Sequence, residues 1–366
     1  MTEQLTYYLL RGLFGLLARL PWAVIHALCH TTAFLIGRLI GYRRAVVRGN
    51  LSRSFPEKTT EELRQIERDF YLQFAYNFLS TPKLLRQSPE RLTKEHFIMP
   101  DLSPLVEAAK EYDCVLVALG HYGNWELFST GQIQLATIGY SMDQVYRPLK
   151  SKALDRLFAE QRQRFGARLV AKDKIARHIV DYVRAKDGRH WFVAMITDQA
   201  PGIGHATYFT DFLHQPTAIL DGIERLGKKY RLPIFYFDIE RRSPIQFVGQ
   251  YVPIYDPAEG DLPIYTVTER YARMLEANIQ RDPAAWLWSH KRWKRPLENY
   301  PEAVRSARLQ ALLDSEQDNY LYYTLCILPH TPRWPSSSST GMAVASWRRS
   351  SPLGCNTPPQ AQTSSS

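Results

Sequence analysis

Apolar positions dominate residues 5–42, but the run is interrupted. Arg11 and Arg19 fall in its first part, Pro21 divides it, and His26, His30 and Arg38 mark the second part. Proline fixes φ and suits a helix start, so the pattern predicts two helices meeting at Pro21. Leu9, Leu13, Leu16, Leu17 and Leu20 fall near one face of the first helix, with the arginines elsewhere. That is an interfacial or anchoring pattern. A charge-free span of ~20 residues is lacking, which argues against a deeply buried transmembrane helix. A cleavable signal peptide fits badly, because no small-residue cleavage site follows a short apolar core. Arg43, Arg44 and Arg48 follow directly, and such a cluster tends to stay cytoplasmic and to attract anionic headgroups. The competing reading is a buried helical hairpin in a soluble protein.

Further along, residues 59–85 read as a helix, with Thr60 as cap and Glu61 and Glu62 in the first turn. Leu63, Ile66, Phe70 and Phe74 recur at helical spacing. From residue 103 the pattern alternates. Helices are expected at 105–112, 124–136, 151–165, 174–186, 217–230 and 265–281, and strands at 114–119, 144–146, 191–196, 234–239 and 246–254. This alternation predicts an α/β sheet covered on both faces, with chemistry gathered at strand ends. Three regions follow: a helical anchor over 1–45, an α/β domain with a helical lead-in over 46–300, and an extension over 301–366. Serine and proline enrichment predicts disorder from about residue 331. No internal repeat is visible.

Composition narrows the partners. The 366 residues are 45% hydrophobic and 22% charged, with a formal net charge of +10. A basic balance favours nucleic acid, an anionic membrane or a phosphorylated substrate. Cys29, Cys114, Cys326 and Cys355 are scattered without a Cys-x-x-Cys pair, so no zinc site, metal site or disulfide framework is indicated.

Two expected strands end in polar signatures, Gly120-His121 and Asp198-Gln199. Glu126 follows His121 by five positions. A histidine can take a proton from an alcohol near neutral pH, and a carboxylate on its other nitrogen fixes the tautomer and supports the imidazolium. A structural histidine beside an exposed glutamate would look the same. Arg147, after a short strand, can neutralise a phosphate or form a surface ion pair. Asp198 can position a donor, pair with Arg147, or cap a turn. The block Trp286-Leu287-Trp288-Ser289-His290-Lys291-Arg292-Trp293-Lys294 mixes aromatic and basic side chains, as a nucleic-acid or headgroup-level surface does.

Taken jointly, these blocks resemble the bacterial lipid A biosynthesis acyltransferases of the lauroyl/myristoyl type. The resemblance runs from about residue 5 to 300 and is carried by the apolar N-terminus, Arg48-Gly49-Asn50-Leu51 with Phe55-Pro56, His121 to Glu126, Arg147, Asp198-Gln199, and Asn278 with Trp288 to Lys294. It implies a glycerolipid-acyltransferase-like α/β fold with a central mixed sheet, anchored to the cytoplasmic face of the inner membrane. It further implies transfer of a fatty acyl chain from acyl carrier protein, or from acyl-CoA, to a hydroxyl of an anionic glycolipid, a lipid A precursor. His121 would be the general base and Glu126 its partner, with Asn124, Arg147, Asp198 and Gln199 around the substrate. No cofactor, metal or nucleic acid is needed. Asn124, Arg147 and a backbone N–H near the helix start are the candidate oxyanion donors. Residues 209–227 lack the small-residue richness common in the family, which opens acceptor identity and chain length. A same-fold acyltransferase for another lipid, and a non-enzymatic basic membrane or nucleic-acid binder, are the alternatives. The basic helix carrying Lys150, Lys152, Arg156, Arg162 and Arg164 would meet acidic carrier protein or membrane, or only solvent.

Overall fold

The computed structural model describes residues 3–202, 205–295 and 299–300; the extension expected to be disordered from about 331 lies outside them. In chain order the helices are α1 (Glu3–Leu17), α2 (Trp22–Phe34), α3 (Arg44–Ser54), α4 (Thr60–Leu79), α5 (Thr81–Leu84), α6 (Pro89–Arg91), α7 (Ser103–Ala109), α8 (Gln132–Thr137), α9 (Lys152–Gln163), α10 (Ile175–Ala185), α11 (Gly222–Tyr230) and α12 (Thr266–Arg281). The strands are β1 (Phe97–Ile98), β2 (Cys114–Leu119), β3 (Tyr140–Tyr146), β4 (Arg168–Ala171), β5 (His190–Ile196), β6 (Tyr208–Phe212), β7 (Gln215–Ile219), β8 (Ile234–Ser243) and β9 (Gln246–Tyr255).

Among the described residues, seven strands form one sheet in the order β1-β9-β8-β2-β5-β3-β4. β8, β2, β5, β3 and β4 run parallel, while β9 is antiparallel to β8 and carries β1 alongside it. The sheet is therefore mixed. All six residues of β2 are buried, on both sides of its pleat, which requires cover on both faces. Continuous apolar runs made β2 and β5 legible. Residues 217–230 are not one helix: β6 and β7 form a separate antiparallel hairpin, and α11 begins only at Gly222. The expected helix over 124–136 is a 3-10 turn, Trp125–Gly131, followed by α8. The helix expected over 59–85 stops at Leu79 and restarts at Thr81. Its cap is Thr59 rather than Thr60. The Glu62 amide donates to Thr59 Oγ1 at 3.3 Å, and the Thr59 amide donates to Glu62 Oε2 at 2.7 Å.

The N-terminal helices separate at Pro21, which caps α2. Leu17, Ile25 and Cys29 pack with Ala75 and Tyr76 of α4. α1 also rests on α9, where the Tyr7 hydroxyl donates to Glu160 at 2.7 Å and the Ala153 amide donates to Glu3 at 2.9 Å. The outer side stays uncovered: Leu9, Leu13 and Leu16 are 56%, 49% and 57% exposed. Residues Trp22–Leu39 are long and apolar enough to cross a membrane by length and composition, and little of that span is buried. The arginine cluster is partly committed inside the fold. Arg44 and Arg48 both bind the buried Glu67, at 3.0 and 2.8 Å, and Arg43 donates to the Ser289 carbonyl at 2.9 Å.

Candidate active site

Strand register brings the two polar strand ends together. Leu119 of β2 pairs with Ile196 of β5. His121 and Asp198 each lie two residues beyond that last pair, so two parallel neighbours deliver them side by side. The His121 ring Nδ1 lies 2.7 Å from Asp198 Oδ1, and the His121 amide donates to Asp198 Oδ2 at 2.7 Å. Gly120 leaves little room at the approach. A Cβ there would meet Leu275 Cδ1 at 2.7 Å and Asp198 Oδ2 at 3.4 Å.

Asp198 is buried and accepts a third bond, from the Trp286 indole N–H to Oδ2 at 2.9 Å. Burial opposes its charge. The adjacent imidazole, the His121 ring and amide bonds and the indole bond outweigh that, and hold its pKa at about 2. Burial likewise disfavours the imidazolium, yet the Asp198 charge and hydrogen bond, with Glu126 nearby, raise His121 above the ordinary 6.5. With Nδ1 engaged, Nε2 is the nitrogen left for a substrate proton. The Trp125 ring stands edge-on to the imidazole, centroids 5.3 Å apart.

Glu126, expected to hold the ring, does not bond to it. Gly123 takes φ +61° and the chain then enters the 3-10 turn, which aims Glu126 at α9. There Arg162 grips it bidentately, Nε to Oε2 at 3.0 Å and Nη2 to Oε1 at 2.7 Å. Both partners are largely buried. Asn124 is also turned inward: it is buried and donates from Nδ2 to Thr81 Oγ1 at 2.9 Å, pinning the turn to α5. Arg147 and Gln199 sit exposed just beyond β3 and β5, at the same edge of the sheet as His121. Arg147 does not pair with Asp198, whose oxygens are taken by His121 and Trp286.

The Trp/Lys/Arg block forms a wall of the site instead of the expected surface. Trp286 and Trp288 are 2% and 0% exposed. The Gly123 amide donates to the Ala285 carbonyl at 3.0 Å and the Leu287 amide to the His121 carbonyl at 3.2 Å, so residues 285–287 clamp the His121 turn. Asn50 Nδ2 donates to the Trp288 and His290 carbonyls at 2.9 and 3.0 Å, tying α3 to that wall. Burial lowers His290 to about 4 and Arg292 to about 10. Sequence reasoning missed Trp286 as the donor to Asp198 and Arg162 as the partner of Glu126. Residue spacings of 88 and 36 leave no local signal for either contact. Among the described residues no group of three or more His, Cys, Asp or Glu gathers as metal ligands.

The sequence profile of the family described as bacterial lipid A biosynthesis acyltransferase matches residues 1–295. A protein of Haemophilus influenzae described as lipid A biosynthesis acyltransferase is 24% identical over 213 residues, covering 58% of this chain and 64% of that relative. The matched region thus falls just short of two thirds of the relative's length.

Proposed function

The chain belongs to the bacterial lipid A biosynthesis acyltransferase family, and from that premise we propose that it transfers a fatty acyl chain from an acyl thioester to a hydroxyl of a lipid A precursor. The observation that carries the chemistry is the 2.7 Å contact between His121 Nδ1 and the buried Asp198. Asp198 keeps the proton on Nδ1, so Nε2 presents a lone pair to the acceptor hydroxyl. The acceptor oxygen forms a C–O bond to the thioester carbonyl as its proton moves to Nε2. Collapse breaks the C–S bond, and the imidazolium returns the proton to the departing thiolate. A thiol is a good leaving group, so no acyl-enzyme is required.

Asp198 takes the orienting role first expected of Glu126. The Glu126–Arg162 pair contributes differently: it braces the 3-10 turn that follows His121, and its carboxylate charge supports the imidazolium. Arg147 and Gln199 are the residues proposed to meet substrate, a role that their exposure at the strand-end edge supports. Acyl carrier protein as donor, a glycerolipid-acyltransferase-like arrangement, and a seat on the cytoplasmic face of the inner membrane complete the proposal. The uncovered apolar side of α1 and α2 supports the membrane seat. The test is purified protein in detergent with a panel of acyl thioesters and a lipid A precursor, the product read by mass spectrometry. Wild-type protein should add one acyl chain and His121→Ala should lose nearly all turnover while still folding, with some loss of melting temperature because the buried Asp198 loses its ring partner. Undiminished transfer by His121→Ala would overturn the assignment.

A further inference from the structure

A cleft of about 570 Å³ opens between α1, α5 and α9, apart from the His121 site. Four guanidiniums line it: Arg11 from α1, Arg19 from the turn that follows it, Arg86 just after α5, and Arg164 at the end of α9. All four are exposed. Their side-chain hydrogen bonds spend little of their donor capacity. Arg11 donates to the Tyr7 hydroxyl at 3.0 Å and Arg19 to the Gly15 carbonyl at 2.8 Å. One carboxylate lines the cleft, Glu160, and it is already bound by Tyr7 and by Arg156. Leu85 and Leu157 give the cleft an apolar wall. Arg11 shares Glu160 through Tyr7, and the other three arginines keep spare donors; such cations around an apolar wall match an anion that carries hydrocarbon.

The place of the cleft says where that anion comes from. Arg11 belongs to α1, whose Leu9, Leu13 and Leu16 stand uncovered, and Arg19 to the turn that ends it. A helix with an apolar outer side and arginines beside it lies at headgroup depth. We infer that this cleft binds the phosphate of an anionic bilayer lipid, fixing how α1 and α9 meet the membrane surface. Because α9 also carries Arg162, the partner of Glu126, a lipid held here would brace the helix that borders the catalytic turn. The inference rests on the membrane-surface part of the reading above and not on acyl transfer.

Flotation of the full chain with vesicles tests it, in the absence of donor and acceptor, so that failure of acyl transfer does not bear on the result. Vesicles of phosphatidylcholine alone are compared with vesicles containing phosphatidylglycerol. Arg11, Arg19, Arg86 and Arg164 are changed together to Gln, and a control of equal charge change replaces Lys172, Arg184, Lys186 and Lys229 with Gln. An arginine close to an anionic surface is worth about fivefold in partitioning, so the cleft variant should lose more than about tenfold of its preference for phosphatidylglycerol and the control about threefold or less. The double variant Arg86→Gln/Arg164→Gln leaves α1 untouched and should give part of the same loss. Equal losses in cleft variant and control would mean diffuse attraction and overturn the proposal. Binding of millimolar inorganic phosphate at the cleft with no preference for phosphatidylglycerol over phosphatidylcholine vesicles would also overturn it, by identifying a soluble anion as the ligand.

Discussion

Asp198 accepts from three donors, of which only the His121 ring titrates. That makes the two fixed donors, the His121 amide and the Trp286 indole, the means by which the carboxylate is aimed. Removing the charge while keeping the shape is the sharpest probe. Asp198→Asn should lower kcat by about 10³–10⁴-fold, the scale seen when an orienting carboxylate loses its charge. It should also move the acid limb of the kcat/KM profile down. The sign follows from the raised His121 pKa: the base must be neutral, so wild-type activity falls as pH drops through a value above 6.5, and without the carboxylate that value falls. An unmoved acid limb would exclude Asp198 as the partner of the titrating base. Trp286→Phe is a positioning variant. It strips one donor from a buried carboxylate, at about 1–3 kcal/mol in stability. The remaining bond to the imidazolium then tightens, so the acid limb should shift up, opposite to Asp198→Asn. A purely structural role for the indole would lower stability without moving the limb.

At the scale of elements, what matters is which strand ends are neighbours. The sequence marks both polar strand ends, because β2 and β5 are unbroken apolar runs stopping at Gly120-His121 and at Thr197-Asp198. It carries no sign that these strands are adjacent or that Leu119 pairs with Ile196, so the nearer carboxylate, Glu126, looked like the partner. Hairpin β6–β7 was hidden for a related reason. Its two-residue turn uses Leu213 and His214 at φ 51° and 60°, where a tight turn ordinarily announces itself with Asn-Gly. Strands as short as β1 and β4 exist only through their partners, Phe97 with Phe247 and Asp143 with Arg168, and no periodicity reveals them. The glycine at the end of β2 tests the packing of the delivered turn. Gly120→Ala forces its Cβ against Leu275 and crowds Asp198, so it should cost about 1–3 kcal/mol and depress turnover more than its stability loss explains. Wild-type melting and turnover in that variant would show that the approach of β2 to α12 is slack.

Over the whole molecule, the His121 edge of the sheet and the N-terminal helices pull in different directions. The core demands burial, and β2, β5 and β8 bury nearly every apolar residue they have in their central portions. In α1, by contrast, packing against α9 uses Tyr7, Leu10 and Phe14, while Leu9, Leu13 and Leu16 remain about half exposed. Water alone does not favour that arrangement, since three leucines on one helix face stay accessible for no internal gain. A bilayer surface does. Replacing all three with Gln removes about 1 kcal/mol each of apolar transfer, so the variant should partition into vesicles about a hundredfold less well. Its melting temperature in detergent and its turnover on detergent-dispersed substrate should stay close to wild type, because none of the three packs in the core or reaches the His121 turn. A variant that pellets with membranes as the wild type does would shift the anchor to Trp22–Leu39 and leave α1 as a scaffold for α9.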